Sequence, residues 1–279
     1  MTDSDLAPLL TRIAEALERL APAAPPPWDF TLARLFRCEP GSLTLTPAPD
    51  YPLSVDLLLG VDRQKRLFTS NLERFAQGLP ANPALLWGVR GGGKSSMAKA
   101  AFMDVASRHP DLRLVEIEAD HVSALPRLFE RLRHVSERVV VFCDDLSFEE
   151  GAGEAKALKS ALEGGVAGPP ANVLFVATSN RRHLMPREHV SDDRMAAAED
   201  AEETVSVSDR FGLWISFPPM DQPTYLAAIN TYAQRFGLSD PQLERRALQW
   251  SVQRGSRSGR VAMQFIRDLA GEQGKRLPV

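Results

Sequence analysis

Apolar residues gather in five short runs, 84–87, 112–117, 139–143, 173–178 and 213–217, each rich in β-branched or large side chains. Runs of this length and composition read as buried strands. From about residue 57 onward they alternate with segments of helical spacing, which predicts a parallel sheet with helices on both faces. After Pro218 and Pro219 the alternation stops, and three helical stretches follow at 222–236, 240–253 and 258–271, divided by Gly237 and Gly255. Upstream, Leu6, Leu9, Leu10, Ile13, Leu17 and Leu20 recur at helical spacing and predict an amphipathic helix over 4–20. The run APAAPPP at 21–27 ends it, because successive prolines lack amide donors and favour extended geometry. Residues 28–52 mix aromatics with further prolines and show no clear period, so they read as an attachment or an irregular cover. The pattern therefore divides the chain into a helix and proline linker (1–27), an N-terminal attachment (28–56), an α/β core (57–219) and a helical lid (220–279).

Composition adds limits. A chain of 279 residues with 44% hydrophobic and 25% charged residues can bury one α/β core and a smaller appendage. A formal net charge of −3 supplies no general attraction for nucleic acid, although Arg181, Arg182 and Arg187 with Arg245, Arg246, Arg254 and Arg257 leave a local basic surface open. Solvated helix faces explain the same arginines equally well. Cys38 and Cys143 stand far apart without neighbouring histidine pairs, which argues against a disulfide framework or a zinc site and suits a reducing cytoplasm. No apolar run is long enough for a membrane span, and Asp3 and Asp5 open the chain where a signal peptide would be basic. The acidic stretch AAAEDAEE at 196–203 reads as a solvated loop or exposed helix.

The chemistry begins at Gly88-Val89-Arg90-Gly91-Gly92-Gly93-Lys94-Ser95, which fits G-x-x-x-x-G-K-[ST] between an apolar strand and a helix-forming stretch. Glycines let backbone amides approach phosphate oxygens, and the helix opening near Lys94 adds its positive dipole end. Lys94 is expected at the β- and γ-phosphates of ATP and Ser95 at Mg2+, with Ser96 beside them. About fifty residues on, VVVFCDD at 139–145 is an apolar strand ending in two carboxylates, and it resembles a Walker B strand. Asp144 is the expected Mg2+ partner. Asp145 either orients the attacking water, leaves that task to Glu149 or Glu150, or caps the following loop.

Three further motifs follow in the order known from AAA+ ATPases, and the resemblance covers most of 57–270. VLFVATSN ends in Asn180, which resembles a sensor-1 residue, with Thr178 and Ser179 as neighbours able to share that role. SDRFG at 208–212 precedes the last strand where such proteins carry an arginine finger, making Arg210 the candidate to act in trans on a neighbouring subunit; a salt bridge with Asp209 is the plainer reading. Ser258-Gly259-Arg260 resembles sensor 2, and Leu59-Gly60-Val61-Asp62 resembles the segment that packs on adenine, with Gly60 and Val61 reading the base. The family usually has glutamate where this chain has Asp145. More narrowly, FCDDLSFEE, KSALEGG, ATSNRRHLMPRE and SDRFGLWISFPPM resemble a bacterial family of small AAA+ proteins labelled a domain of unknown function.

The resemblance implies a five-stranded parallel P-loop NTPase sheet with flanking helices and a C-terminal helical lid, ATP and Mg2+ as cofactors, and a homo-oligomer acting on an unknown protein partner. EADHVSALPRLFERLR lacks the aromatic-apolar-glycine loop of threading unfoldases, so remodelling or loading fits better. An ATP-dependent switch with slow turnover is the alternative, and a small-molecule kinase a third reading that the sensor-like asparagine and helical lid oppose.

Overall fold

The computed structural model describes residues 27–147, 152–164, 168–180 and 209–277. The expected helix at 4–20, all but the last residue of the proline linker, Glu149, Glu150, Arg181, Arg182, Arg187, the acidic stretch at 196–203 and Ser208 lie outside the described residues.

The five expected strands are all present, and two more precede them. Strands β1 (Leu35–Glu39), β2 (Thr44–Ala48), β3 (Ala84–Gly88), β4 (Leu112–Ile117), β5 (Arg138–Cys143), β6 (Val173–Ser179) and β7 (Leu213–Phe217) form one seven-stranded sheet in the order β2-β1-β4-β5-β6-β3-β7. Every pairing is parallel except the β1–β2 hairpin at the edge. The expectation of five strands thus falls short by this hairpin, which occupies the segment whose period was unreadable. Both strands are short, and Arg37, Glu39 and Pro47 interrupt their apolar character. Proline survives in β2 because an edge strand leaves one side of its ladder unpaired.

Side chains alternate across the sheet, as the two-residue period of a strand demands. Val139, Val141 and Cys143 face one core with Leu85 and Phe175, and Val140 and Phe142 face the other with Leu86 and Val176. Helices α1 (Asp62–Ala76) and α2 (Lys94–Ala106) cover the second face through Phe68, Leu72, Phe75, Met97 and Phe102. Helices α3 (Leu125–Leu132) and α4 (Ala152–Glu163) cover the first through Leu128, Phe129, Leu132 and Leu158. Strand β1 contributes to both cores, Leu35 to one and Phe36 with Cys38 to the other. Its turn is pinned by Trp28, whose indole donates to the Leu43 carbonyl at 2.8 Å while Arg131 lies 4.0 Å over the ring.

The lid is α5 (Gln222–Arg235), α6 (Leu243–Gln253) and α7 (Gly259–Glu272), built around its own cluster of Tyr225, Ile229, Phe265, Ile266 and Leu269. Residues 55–61 run between lid and sheet domain. Leu57 and Leu59 pack on the lid cluster, whereas Val55, Leu58 and Val61 pack on the sheet domain. The Tyr232 hydroxyl donates to the Leu57 carbonyl at 2.9 Å. No helix among the described residues is long and apolar enough to cross a membrane.

Because Phe36 is 2% exposed and meets Phe30 edge-to-face at 5.3 Å, Phe36→Ala should lower stability by about 3–5 kcal/mol in urea unfolding. A cost below about 0.5 kcal/mol, the range of surface substitutions, would mark β1 as a detachable cover.

Candidate active site

The sheet order sets the site. Strands β5, β6 and β3 are neighbours, so the residues leaving their C-terminal ends converge, where parallel α/β sheets bind ligands. Cys143 stands opposite Ala177 and Leu86 opposite Thr178. The next residues of β5, Asp144 and Asp145, therefore emerge beside Thr178, Ser179 and Asn180.

Loop 88–93 connects β3 to α2, and its curvature depends on Gly88. This residue has φ +140°, and a Cβ there would lie 2.1 Å from the Phe217 carbonyl oxygen. That same carbonyl accepts from Val89 N–H at 3.2 Å, tying the loop to β7. Lys94, 6% exposed, opens α2 with its ammonium turned back into the loop. It donates to Gly88 O and Val89 O at 3.0 Å each and to Asn180 Oδ1 at 2.9 Å, which uses three donors on three acceptors. Burial holds this lysine below its ordinary value; Asp145 and Asp144 oppose that fall, while Arg260 and Arg90 deepen it.

Ser95 Oγ donates to Asp144 Oδ1 at 2.5 Å, and Thr178 Oγ1 donates to the same oxygen at 2.5 Å. Asn180 Nδ2 donates to Asp145 Oδ1. One set of contacts thus joins Lys94, Asn180 and Asp145, a second joins Ser95, Asp144 and Thr178, and Asp145 N–H, donating to Thr178 Oγ1 at 2.9 Å, ties the two together. Ser96 follows on α2, half-buried, and Gly92 N–H donates to Val89 O at 3.2 Å within the loop.

The lid closes over this loop. A Cβ on Gly91 would meet Ser258 Oγ at 2.9 Å and Arg260 Cβ at 3.5 Å, and Gly93 faces Leu58. Ser258 caps α7 by accepting from Val261 N–H at 3.3 Å. Arg90 and Arg260 are exposed beside the loop. On the strap, Val61 is buried in the sheet-domain core, and a Cβ on Gly60 would strike Thr224 of α5 at 2.4 Å.

Arg210 stands elsewhere. Leu213 is opposite Ala84 at the start of both strands, so Arg210 lies at the far end of the sheet from loop 88–93. Four residue steps at about 3.3 Å separate Ala84 from Gly88, a span of roughly 13 Å. Its partner is Glu163 at the end of α4, Nη2 to Oε1 2.6 Å, rather than Asp209. Three of the lid arginines are also accounted for individually. Arg246 pairs with Asp240 and Glu272, Arg254 lies 4.9 Å over the Trp250 ring, and Arg257 is exposed near Tyr225. Thr178 and Glu163 are the residues that sequence reasoning undervalued. A β-branched hydroxyl inside the apolar strand VLFVATS was the available signal for the first; for the second there was none.

The donor chemistry fits a nucleoside triphosphate with Mg2+. A buried ammonium flanked by two arginines suits phosphate, and a hydroxyl with a carboxylate offers the hard oxygens that Mg2+ prefers.

In sheet order, loop and lid the fold resembles that of AAA+ ATPases. Similar solved structures include the Aeropyrum pernix Orc1 protein in complex with DNA (TM-score 0.59, 18% identity, 81% of this chain and 62% of that one). The Thermotoga maritima RuvB Holliday junction branch migration motor is another (TM-score 0.52, 20% identity, 80% of this chain and 67% of that one). A chain of the E. coli MS115-1 HORMA:CdnC:Trip13 complex is a third (TM-score 0.50, 13% identity, 77% of this chain and 90% of that one). The chain thus spans less than two thirds of the Orc1 protein's length. Residues 32–273 match the family described as "Protein of unknown function (DUF815)", and the chain belongs to that family. No curated protein matches it.

Gly88→Ala forces the loop away from Phe217 and should destabilise the protein by about 1–3 kcal/mol or more, seen as a lower thermal midpoint. An unchanged midpoint would mean that the β3–β7 contact does not shape the loop.

Proposed function

We propose that this protein is a Mg2+-dependent ATPase that assembles with copies of itself and uses ATP to remodel or load a partner macromolecule. The observation that carries this reading is the convergence of Lys94, Ser95, Asp144, Asp145 and Asn180 in direct contact at the ends of three adjacent strands. In it, Lys94 and those amides of loop 88–93 not already bonded within the protein bind phosphate, with Arg90 and Arg260 adding positive charge. Ser95 and Asp144 hold Mg2+, which when bound neutralises developing phosphoryl charge. Asp145 orients water and Asn180 lies between that acid and Lys94. Gly60 and Val61 flank the base, at the strap between lid and sheet domain.

Arg210 acts on the site of a second copy. Its place at the far end of β7 removes it from its own chain's phosphate loop, and its exposed position suits a reach across an interface. A finger of this kind contributes about 10³–10⁵ in rate. The partner is read as protein, since Arg246 and Arg254 are committed within the lid and the net charge is −3. Orc1 was solved with DNA and RuvB is a junction motor, so duplex DNA belongs among the ligands assayed. Two buried unpaired cysteines, Cys38 with its thiol pushed up to about 11 by burial, accord with the cytoplasm. The Asn180–Asp145 contact favours one second reading, a slow-turnover ATP switch, because it occupies the carboxylate that would orient water.

ATP turnover should fall about 10²–10⁴-fold in Asp145→Asn, the usual range for losing a general base. Wild-type turnover should rise with protein concentration, and Arg210→Ala should abolish that rise. ATP binding without turnover would favour the switch, and turnover independent of both concentration and Arg210 would remove the shared site.

A further inference from the structure

Thr178 is 1% exposed next to the last residue of a strand that is apolar up to that point, where a buried hydroxyl needs partners to offset its lost hydration. It has two, and both belong to the acid pair. Its hydroxyl donates to Asp144 Oδ1 at 2.5 Å and accepts from Asp145 N–H at 2.9 Å. Its carbonyl accepts from Leu146 N–H at 2.7 Å. One residue therefore holds the Asp144 carboxylate and the next two backbone amides.

The backbone held in this way is unusual. Asp145 has φ +54°, in the left-handed region that side chains with a Cβ rarely occupy. Aspartate and asparagine enter it several times more readily than other residues, because a short polar side chain bonds locally. Here the Asp145 carboxylate accepts from Asn180 just past the neighbouring strand, which anchors the side chain in that conformation. A glutamate, which lacks that preference, would meet a larger backbone penalty and carry its carboxylate one methylene past Asn180.

We propose that Thr178 is a positioning residue for both acids, and that the left-handed turn it holds is the reason this chain carries aspartate at 145. The functional half rests on the ATPase reading, whereas the structural half does not. In this account Thr178 touches no phosphate; it fixes where Asp144 offers an oxygen to Mg2+ and where Asp145 starts.

The test uses the full chain and three variants: Thr178→Val, which keeps the shape and removes the hydroxyl; Thr178→Ser, which restores it; and Asp145→Glu. Amide exchange is read first, by NMR without nucleotide. Thr178→Val should speed exchange at Asp145 roughly tenfold, on the scale of one lost hydrogen bond, while Leu146 keeps its protection and Thr178→Ser matches wild type. In turnover assays Thr178→Val should lower kcat and raise the Mg2+ concentration for half-saturation, with little change in KM for ATP, and serine should rescue both. Asp145→Glu should melt below wild type and turn over no faster. Unaltered Asp145 exchange in Thr178→Val, or an Asp145→Glu protein that is faster and equally stable, would overturn the proposal. If wild type itself hydrolyses no ATP, the ATPase reading fails alone, and exchange and melting still decide the role of Thr178. Should Thr178→Val not fold, Thr178→Ala takes its place in the exchange measurement, and the Asp145→Glu comparison still decides the aspartate half.

Discussion

A buried ammonium constrains this molecule more than any other group. Moving a charge out of water is costly unless it is paired or fully hydrogen-bonded, and Lys94 meets that demand with two loop carbonyls and Asn180. Each partner makes its own structural claim. The two carbonyls turn inward only if loop 88–93 curls tightly, which in turn needs Gly88 against Phe217 of β7. Asn180 reaches the lysine because β6 lies next to β3. The order of the three central strands and the loop's shape are thus conditions for satisfying one side chain.

In the proposed function the same lysine links binding to chemistry. Its partner Asn180 also holds Asp145, so any anion that takes up Lys94 changes what Asn180 can offer the acid. Ser95, the next residue along α2, repeats the arrangement with Asp144 and Thr178. Above this floor the lid meets the loop through Ser258 and Arg260, and the strap at 55–61 divides its side chains between lid and sheet domain. A base held at Gly60 and Val61 would therefore touch the joint between the two bodies of the fold, a direct physical route from nucleotide state to lid position.

Much of this was readable in the residues. Five apolar runs, the glycine loop, the paired carboxylates and Asn180 are local patterns, and each falls where its pattern predicts. The hairpin of β1 and β2 escaped notice because strands of five residues carrying Arg37, Glu39 and Pro47 have little periodic signal, although Pro40-Gly41 marks their turn. Thr178 was seen only as a neighbour of Asn180. Its real contacts depend on the register that sets β6 beside β5, a long-range fact that spacing along one chain does not encode. For Arg210 the expected local partner was Asp209, yet the ion pair forms with Glu163 on α4, nearly fifty residues earlier.

The fold is shared with AAA+ ATPases of known structure, and the chain belongs to the DUF815 family. In the proposed function, phosphate recognition centres on Lys94. Isothermal calorimetry of ATP with Mg2+, on the wild-type chain and on Lys94→Ala, tests that claim most directly. The account predicts saturable one-to-one binding by wild type and a loss of at least about tenfold in affinity, 1.4 kcal/mol, in the variant with its fold intact. Equal affinity in both proteins, or no binding by either, would contradict it.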